Sequence, residues 1–382
     1  MNESLLNIDV QKYINANLES DLHSLLLKKS PFENVTMLEI VQQIKGKNVA
    51  RKKFPYLLQE NIVFPVQLSL EQSSSDKTAL YKADFLHGNS FIDLTTGFGI
   101  DAYYLSKNFN DISLVEQNAD LLDIVQHNWT VLGRKAEFVN QKLEYFLGNT
   151  NKTFDVAYLD PARRDSNKNK VFLLEDLSPN ILEIQDQLTT ISKKVVIKLS
   201  PLIDLKYVVS EVKNLARIDI IAIKNDVKEI VLTVSGEGYS GITCHCINLE
   251  SEDATFDFNF GDEESVSVTF SEPEKYIYIP NNTILKAGIF NLIAEKFNLK
   301  KLHPNTHIYT STIENKEFPG RVFEMAIIEG KQIKKKDKYN IIAKNYPLKP
   351  DEIKKKYGIK DGGNQYLIFT QSKKGKLILK SV

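Results

Sequence analysis

The fold of this chain is decided by Phe91-Ile92-Asp93-Leu94-Thr95-Thr96-Gly97-Phe98-Gly99-Ile100-Asp101. This stretch predicts a buried strand that ends in an acid, a glycine turn and the start of a helix. Two later apolar segments also end in acids: residues 112–116 end in Glu116, and residues 154–161 end in Asp160-Pro161. Ligands of parallel sheets bind at the carboxyl ends of the strands, so the three acids indicate a nucleotide-type cofactor site there.

Strand-like and helix-like segments alternate around this stretch. The expected strands are 91–94, 112–115, 136–139, 156–159, 194–199 and 218–223, and the expected helices are 100–105, 120–132, 178–190 and 205–216. The alternation predicts a doubly wound α/β fold with right-handed crossovers. Helical spacing also marks much of residues 1–80. After about residue 227 the pattern predicts successive antiparallel strands at 229–235, 242–249, 255–260 and 266–270, then a helix at 285–297.

The 382 residues exceed one ordinary domain, and their charges are unevenly distributed although the net charge is zero. Residues 331–382 contain fifteen Lys, no Arg and four acids, a net charge of +11. Residues 250–274 contain nine acids and no Lys or Arg. A basic tail on an acidic body indicates an anionic partner such as nucleic acid, or else a solvated lysine-rich surface. Charge alone favours neither interpretation.

Composition also excludes several classes of protein. The N-terminus lacks the basic and apolar regions of a signal peptide, and no apolar run approaches membrane-spanning length. A cytoplasmic protein is therefore expected. The two cysteines, Cys244 and Cys246, cannot complete a zinc site, and no other metal-ligand spacing occurs, so we expect no metal. The sequence does not indicate an oligomeric state.

The glycine turn distinguishes two classes of cofactor. Gly97 and Gly99 let the backbone turn sharply near a ligand, and Glu116 is placed to accept hydrogen bonds from ribose hydroxyls. A dinucleotide fold needs a third glycine where this chain has Tyr103-Tyr104, and a bulky residue there argues against a pyrophosphate. Asp93 suits a cationic ligand. S-adenosylmethionine, abbreviated SAM, carries a sulfonium and an amino group and no phosphate, so it fits this turn better than NAD does.

Several segments resemble class I SAM-dependent methyltransferases, and more narrowly a bacterial group with a C-terminal THUMP-like domain. They are Asp-Leu-Thr-Thr-Gly-Phe-Gly-Ile-Asp (93–101) with Glu116, Glu-Gln-Ser-Ser-Ser (71–75), Tyr-Lys-Ala (81–83), Asp-Pro-Ala-Arg-Arg (160–164), Ile-Lys-Leu-Ser-Pro (197–201) and Lys-Asp-Gly-Gly (360–363). The resemblance implies an N-terminal helical region (1–80), a Rossmann-like methyltransferase domain (81–270), a small ferredoxin-like α+β segment (271–312) and a basic THUMP-like α+β domain (313–382).

The resemblance also implies a function. THUMP-type domains are associated with RNA modification, so the expected protein is a SAM-dependent methyltransferase with RNA as its partner. A DNA or protein substrate stays open, because nothing in the sequence reads the 2′-hydroxyl that separates RNA from DNA. A cytosine C5 mechanism is rejected, because it needs a cysteine nucleophile near the cofactor and neither cysteine lies in that half of the chain.

The resemblance assigns ten residues to cofactor binding. In the family, Asp93, Gly97 and Gly99 cradle the methionine part of SAM, and Glu116 binds the ribose. Many relatives place an acid against the adenine amine after the third strand, where this chain has two amides whose oxygens still accept such a bond. The expected set is Lys82, Asp93, Thr95, Gly97, Gly99, Asp101, Glu116, Gln117, Asn140 and Gln141.

Asp160-Pro161 resembles the Asp-Pro-Pro-aromatic motif of methyltransferases that act on exocyclic amines. In that motif, a side-chain oxygen and a backbone carbonyl accept the amine hydrogens, which orients the lone pair for in-line attack. This chain has Ala162 and Arg163 at the later positions, so the aromatic side chain that stacks on a flipped base is missing there. We assign Asp160 and Pro161 as catalytic residues acting on the exocyclic amine of a base.

Three basic residues are assigned to substrate binding. Arg163 and Arg164 suit a phosphate with their planar guanidinium groups, or alternatively pair with nearby acids. Lys198 lies in an apolar strand and needs a partner, which Asp160 or a substrate phosphate supplies. The acids weighed as partners of the arginines are Asp165, Glu175 and Asp176.

Two other functions stay open at this point. A non-catalytic RNA-binding protein with a relict cofactor site is favoured by Asn140-Gln141 and by Ala162-Arg163, where the family motifs are not met. A nicotinamide-dependent oxidoreductase is disfavoured by Tyr103-Tyr104. Binding of SAM separates the methyltransferase from both alternatives.

Overall fold

The computed structural model describes residues 1–65, 75–163, 173–235 and 241–382, except for the side chain of Arg163. The chain forms two compact units: the described residues of 1–216 with 230–240, and those of 217–229 with 241–382. None of the described helices is both long and apolar enough to span a membrane.

The first unit contains nine of the described α-helices and most of the strands of the expected α/β sheet. Its helices are α1 (Ile8–Ala16), α2 (Leu22–Leu26), α3 (Met37–Lys53), α4 (Asp76–Asp84), α5 (Ile100–Leu105), α6 (Ala119–Val131), α7 (Leu143–Asn149), α8 (Ile181–Ile191) and α9 (Leu205–Glu211). Its strands are β1 (Ser90–Asp93), β2 (Asp111–Val115), β3 (Glu137–Val139), β4 (Phe154–Leu159), β5 (Ala162–Arg163), β6 (Leu177–Ser178) and β7 (Ser192–Leu199). Two further strands, β8 (Leu215–Ile223) and β9 (Asp226–Ser235), contribute to both units.

The sheet of the first unit has the strand order β3-β2-β1-β4-β7-β9. The pairs from β3 to β7 are parallel, and β9 is antiparallel to β7. The central strands are buried on both faces, as Phe91 and Ile92 of β1 and Val156 of β4 illustrate, which explains why they read as continuous apolar runs in the sequence. The predicted doubly wound sheet is confirmed, and it brings the carboxyl ends of β1, β2 and β4 together.

The second unit contains the remaining described strands and helices. These are β10 (Thr243–Leu249), β11 (Phe256–Asn259), β12 (Tyr276–Pro280), β13 (Lys300–His303), β14 (Thr306–Ser311), β15 (Gly320–Ile327), β16 (Lys338–Ala343), β17 (Lys360–Ser372) and β18 (Gly375–Ser381), with α10 (Asn282–Ala287), α11 (Leu292–Lys296) and α12 (Pro350–Tyr357). Strands β12 to β18 form a seven-stranded sheet in the order β13-β14-β12-β15-β18-β17-β16. The predicted C-terminal α+β organisation is confirmed.

Three expectations for this unit were wrong. Strand β10 pairs with β8 in parallel, with Cys244 opposite Ile218, so the strands after residue 227 are not all antiparallel neighbours. Residues 266–270 form no described strand, and only an isolated bridge joins Phe270 to Lys301. The helix expected at 285–297 is divided into α10 and α11 at Gly288, which has φ +75° and therefore ends α10. Apolar periodicity does not register a backbone break of this kind.

Candidate active site

A cavity of about 320 Å³ opens at the carboxyl ends of β1, β2 and β4 in the first unit. Its walls come from the turn 93–101, the end of β2, the start of α7, the end of β4, Ser178-Pro179 and Lys198 of β7. The volume falls at the lower end of the range of small-molecule sites, which span about 300–1,000 Å³. The cavity therefore lies at the sheet edge where the sequence predicted a ligand.

Glycine is needed at the two positions of the turn for different structural reasons. Gly97 and Gly99 both adopt left-handed backbone conformations, with φ +52° and +76°. A Cβ atom on Gly99 would lie 3.1 Å from Nε1 of Trp129, so the turn packs too closely against α6 for a side chain. A Cβ atom on Gly97 would meet nothing nearer than a carbonyl at 3.9 Å, on the side of the turn that lines the cavity. Gly97 therefore leaves space that a ligand can fill.

Glu116 connects the turn to the end of β2. Its carboxylate accepts hydrogen bonds from the backbone N–H of Gly97 at 3.0 Å and of Asn118 at 2.9 Å. These bonds fix the orientation of the carboxylate at the cavity wall. Two N–H donors leave acceptor capacity on its two oxygens, because an ionised carboxylate offers about four lone-pair sites.

The structure separates the two amides that follow β3. Asn140 donates through Nδ2 to the backbone carbonyls of Glu116, at 2.9 Å, and Gln117, at 3.2 Å. Among the described residues that line the cavity, Gln117 and Gln141 are present and Asn140 is not. Glu144, in the first turn of α7, also lines the cavity. Glu144 was not predicted from the sequence, although an acid soon after the third strand is the residue expected to bind the adenine amine.

Asp93 is almost completely buried, with 2% of its surface exposed. One carboxylate oxygen accepts the backbone N–H of Thr95 at 2.9 Å. Burial raises the pKa of Asp93 well above its ordinary value, and the negative charges of Asp101 and Asp160 raise it further. Asp93 is thus a buried acid whose ionised form lacks a full counter-charge, which is the electrostatic environment that a cationic ligand would relieve.

Four charged side chains alternate in sign along the base of the cavity. Asp101 forms two ion pairs: Lys82 Nζ lies 2.8 Å from one carboxylate oxygen, and Lys198 Nζ donates to the other at 3.0 Å. Lys198 also contacts the carboxylate of Asp160. Burial alone would raise the pKa of Asp101, but Lys198 and Lys82 outweigh burial and hold that pKa below its usual range. The sequence did not anticipate Asp101 as the partner of Lys198.

Lys82 takes a different place from the one expected for a cofactor ligand. Its side chain is 0% exposed, and it is absent from the described residues that line the cavity. Its ammonium group lies 2.8 Å from Asp101 and 5.6 Å from the ring centroid of Tyr158. Lys82 is thus positioned to fix Asp101 from below the cavity.

Asp160 is tied to the glycine turn through its backbone and faces the cavity with its side chain. The N–H of Asp160 donates to Oγ1 of Thr95 at 2.7 Å, and 40% of its side chain is exposed. Enclosure raises the pKa of Asp160, while the nearby Lys198 acts in the opposite direction. The short ladder β5–β6 pairs Ala162 with Ser178, which brings Ser178-Pro179 to the cavity wall. Ser178 and Pro179 were not predicted as cavity residues, because no local sequence pattern indicates a pairing of two-residue strands.

The two predicted phosphate-binding arginines are only partly described. Arg163 pairs with Leu177 through its backbone, and Arg164 lies outside the described residues, as does Asp165. Glu175, one of the acids weighed as an arginine partner, accepts a hydrogen bond from the Tyr207 hydroxyl. The roles of both arginines stay predictions.

Tyr103, the residue that argued against a dinucleotide, is used in packing. Its ring stacks on Tyr56 with a centroid separation of 4.1 Å and an interplanar angle of 5°. The guanidinium group of Arg134 lies over the Tyr103 ring, with Cζ 5.3 Å from the ring centroid. The bulky side chain thus fastens the N-terminal helical region to α5, which carries Asp101.

Comparisons with known proteins agree with this architecture. Three family models match: conserved hypothetical protein 95 at residues 77–194, a ferredoxin-like domain at 276–319 and a THUMP domain-like family at 320–380. A crystal structure of a candidate methyltransferase from Porphyromonas gingivalis W83 is 28% identical, with a TM-score of 0.87 over 100% of this chain and 98% of that one. No curated protein sequence matches.

Smaller solved structures resemble only part of the chain. A candidate methyltransferase from Streptococcus mutans in complex with S-adenosylhomocysteine is 11% identical, with a TM-score of 0.32 over 42% of this chain and 96% of that one. An rRNA methylase from Streptococcus thermophilus is 13% identical, with a TM-score of 0.31 over 42% and 94%.

The sheet order, the glycine turn and the acidic strand ends define a class I methyltransferase fold. The same fold extends over the whole chain in the Porphyromonas gingivalis structure, and the C-terminal segments of this chain match a ferredoxin-like domain and a THUMP domain-like family.

Proposed function

We propose that this protein is a SAM-dependent methyltransferase that acts on RNA, with the exocyclic amine of a base as its acceptor. The observation that carries the proposal is the buried carboxylate of Asp93 beside the open turn at Gly97, in a cavity that also contains Glu116 and Asp160. The match of residues 77–194 to a family model and the full-length match to a candidate methyltransferase support the same reaction.

The residues present fit SAM in charge and in hydrogen bonding. Asp93 supplies the anionic group for the amino and sulfonium end, where the open position at Gly97 provides space. Glu116, fixed by two backbone N–H groups, supplies acceptors for the ribose hydroxyls. Gln141 or Glu144 supplies an acceptor for the adenine amine, and Asn140 acts by fixing the backbone at residues 116–117.

Bound SAM supplies an electrophilic methyl group on a positively charged sulfur. Asp160 accepts one hydrogen of the substrate amine through its free acceptor positions, and the carbonyl beside Pro161 accepts the other, which directs the nitrogen lone pair at the methyl carbon. Transfer of the methyl group would form the nitrogen–carbon bond and break the sulfur–carbon bond, with the electron pair left on sulfur. The amine proton then leaves through Asp160, whose raised pKa favours acceptance of a proton.

RNA is proposed as the acceptor on two grounds. The THUMP-like match covers residues 320–380, and residues 331–382 carry a net charge of +11. Electrostatic attraction to a phosphate backbone provides sequence-independent affinity that falls as salt rises. If the protein bound DNA as tightly as RNA and methylated both equally, RNA would be removed from the proposal.

The proposal predicts a pH-dependent affinity for SAM. A cation beside Asp93 favours the ionised carboxylate, so at a pH below the raised pKa SAM binding releases a proton, and the affinity for SAM increases as the pH rises towards that pKa. Replacement by Asn keeps the acceptor for Thr95 N–H and removes the charge. We expect Asp93→Asn to weaken SAM binding roughly 10- to 100-fold at neutral pH and to abolish the proton release. Calorimetry in buffers of different ionisation enthalpy measures both quantities.

Asp93→Asn should also change the free energy of unfolding in a predictable direction. Between pH 3.8, the ordinary pKa of Asp93, and the raised pKa, the folded protein binds more protons at Asp93 than the unfolded chain does. Its favourable contribution is therefore lost as the pH rises through the raised pKa. Without ligand, Asp93→Asn should be more stable than the unmodified protein at neutral pH. A variant that is less stable yet binds SAM normally would contradict the electrostatic role.

A further inference from the structure

A second cavity, of about 390 Å³, lies within the second unit and shares no lining residue with the first cavity. Its walls come from the turn after β8, residues 248–253 after β10, the junction of β12 and α10, the start of β15 and the end of β16. Three of these elements each contribute one cationic side chain: Lys224, Arg321 and Lys344. Residues distant in the sequence thus place three positive charges around one cavity.

The polar floor of this cavity is already satisfied. Asn248 and Asn281 donate to the same oxygen of Asp253 at 2.6 and 2.9 Å, and they are 6% and 4% exposed. Asn248 also accepts the N–H of Asn225 at 2.8 Å, and Asn225 in turn accepts the N–H of Asn282 at 2.7 Å. The amides are therefore engaged in fixing the turns, which makes the floor rigid before a ligand arrives.

The cations around this floor are not neutralised in the same way. Arg321 and Lys344 form no ion pair with any residue that the structure describes. Lys224 has only a 3.6 Å contact with Glu250, between side chains that are 74% and 38% exposed, and such a pair contributes little. Asp253 is the one carboxylate among the described lining residues. Three cations against one hydrogen-bonded carboxylate favour an anionic ligand.

The chemistry of the lining points to one kind of anion. The planar guanidinium of Arg321 matches the oxygens of a phosphate, and the two ammonium groups add point charges. Ile279, Leu285 and Ile342 also line the cavity and offer apolar surface that a bare inorganic anion would not use. A ligand with a phosphate and a flat apolar face, which is a nucleotide unit, satisfies both parts of the wall.

We propose that this cavity binds a backbone phosphate and the adjoining base of single-stranded RNA, apart from the site of methyl transfer. The choice of RNA rests on the proposed function, whereas the phosphate recognition rests on the cavity alone. The site gives the RNA a fixed contact in the second unit, in addition to the diffuse attraction of the basic tail.

The test replaces the three cations together, as Lys224→Gln, Arg321→Gln and Lys344→Gln. The matched control replaces three exposed lysines of the same unit that do not line the cavity, as Lys316→Gln, Lys334→Gln and Lys374→Gln. Fluorescence anisotropy with a labelled single-stranded RNA of about ten nucleotides measures affinity over a range of salt concentrations. The cavity variant should bind at least about tenfold more weakly and lower the salt slope by about 0.7, the value for one phosphate contact on a single strand.

Several outcomes would overturn the proposal. An equal loss in the control variant means diffuse attraction and no site. The RNA affinity of the cavity variant could also be unchanged while the unmodified protein binds AMP or inorganic phosphate in calorimetry. The cavity would then be a site for small anions and not for RNA. A thermal melt checks folding, and Arg321→Lys adds a milder test, since it should lower affinity while keeping the salt slope. Calorimetry measures SAM binding by the same proteins independently of RNA binding. Failure of the cavity proposal can therefore be distinguished from failure of the proposed function.

Discussion

Asp101→Asn should lower the free energy of unfolding by about 3–5 kcal/mol, the range for removing one partner of a buried ion pair. Asp101 forms ion pairs with both Lys82 and Lys198, at 2.8 and 3.0 Å. Lys198 keeps its contact with Asp160, but the side chain of Lys82 is 0% exposed and would lose its carboxylate. Chemical denaturation with a two-state fit over the main transition measures the change.

A matched control separates burial from charge. Lys213 and Asp186 form an ion pair at the same 2.8 Å, but their side chains are 59% and 77% exposed. Asp186→Asn should therefore cost less than about 1 kcal/mol. In the double variant Lys82→Met with Asp101→Asn, the loss should be smaller than the sum of the losses in the two single variants, because the two side chains interact directly. Equal effects at Asp101 and Asp186, or additive losses in the double variant, would contradict the assignment of Lys82 as a buried partner of Asp101.

Asp160→Ala should lower the methylation rate about 10²- to 10⁴-fold, the usual contribution of a positioned proton acceptor. The side chain faces the cavity and contacts Lys198, while the backbone N–H is held by Thr95, so truncation removes the acceptor without releasing the strand end. Asp160→Asn keeps one acceptor oxygen and should retain more activity than Asp160→Ala. Single-turnover kinetics with saturating SAM isolates this step from cofactor binding.

The binding data provide the control for Asp160. Neither variant should change SAM affinity more than about threefold, because a group that acts only on the substrate amine contributes little to cofactor binding. Full activity in Asp160→Ala would mean that the residue only pairs with Lys198. A parallel loss of SAM binding and activity would likewise remove it from the chemical step.

Local patterns in the sequence predicted the sheet and the acids at its edge. A parallel strand buried on both faces reads as a short apolar run, and the acid that follows it marks the carboxyl end, as at Asp93, Glu116 and Asp160. The positive φ of Gly97 and Gly99 was likewise predictable from residue type and position. The residues at this edge of the sheet are therefore predictable from the sequence.

Contacts between distant residues could not be predicted in this way. Lys198 and Asp101 are 97 residues apart, and their pairing depends on how β7 and α5 pack. The same limit explains why Lys82 was assigned to the cofactor although it lies below the cavity, and why the backbone bonds of Asn140 were not foreseen. Glu144 was overlooked because its place in the first turn of α7 depends on where that helix begins.

The most direct test of the account is transfer of a labelled methyl group from SAM to RNA taken from a strain that lacks this protein. We predict label in the RNA fraction with the unmodified protein, label in one base after nuclease digestion, and loss of nearly all label with Asp160→Ala. Calorimetric binding of SAM accompanies the assay. Absence of SAM binding together with persistent RNA binding would contradict the methyltransferase and leave an RNA-binding protein with a relict cofactor site.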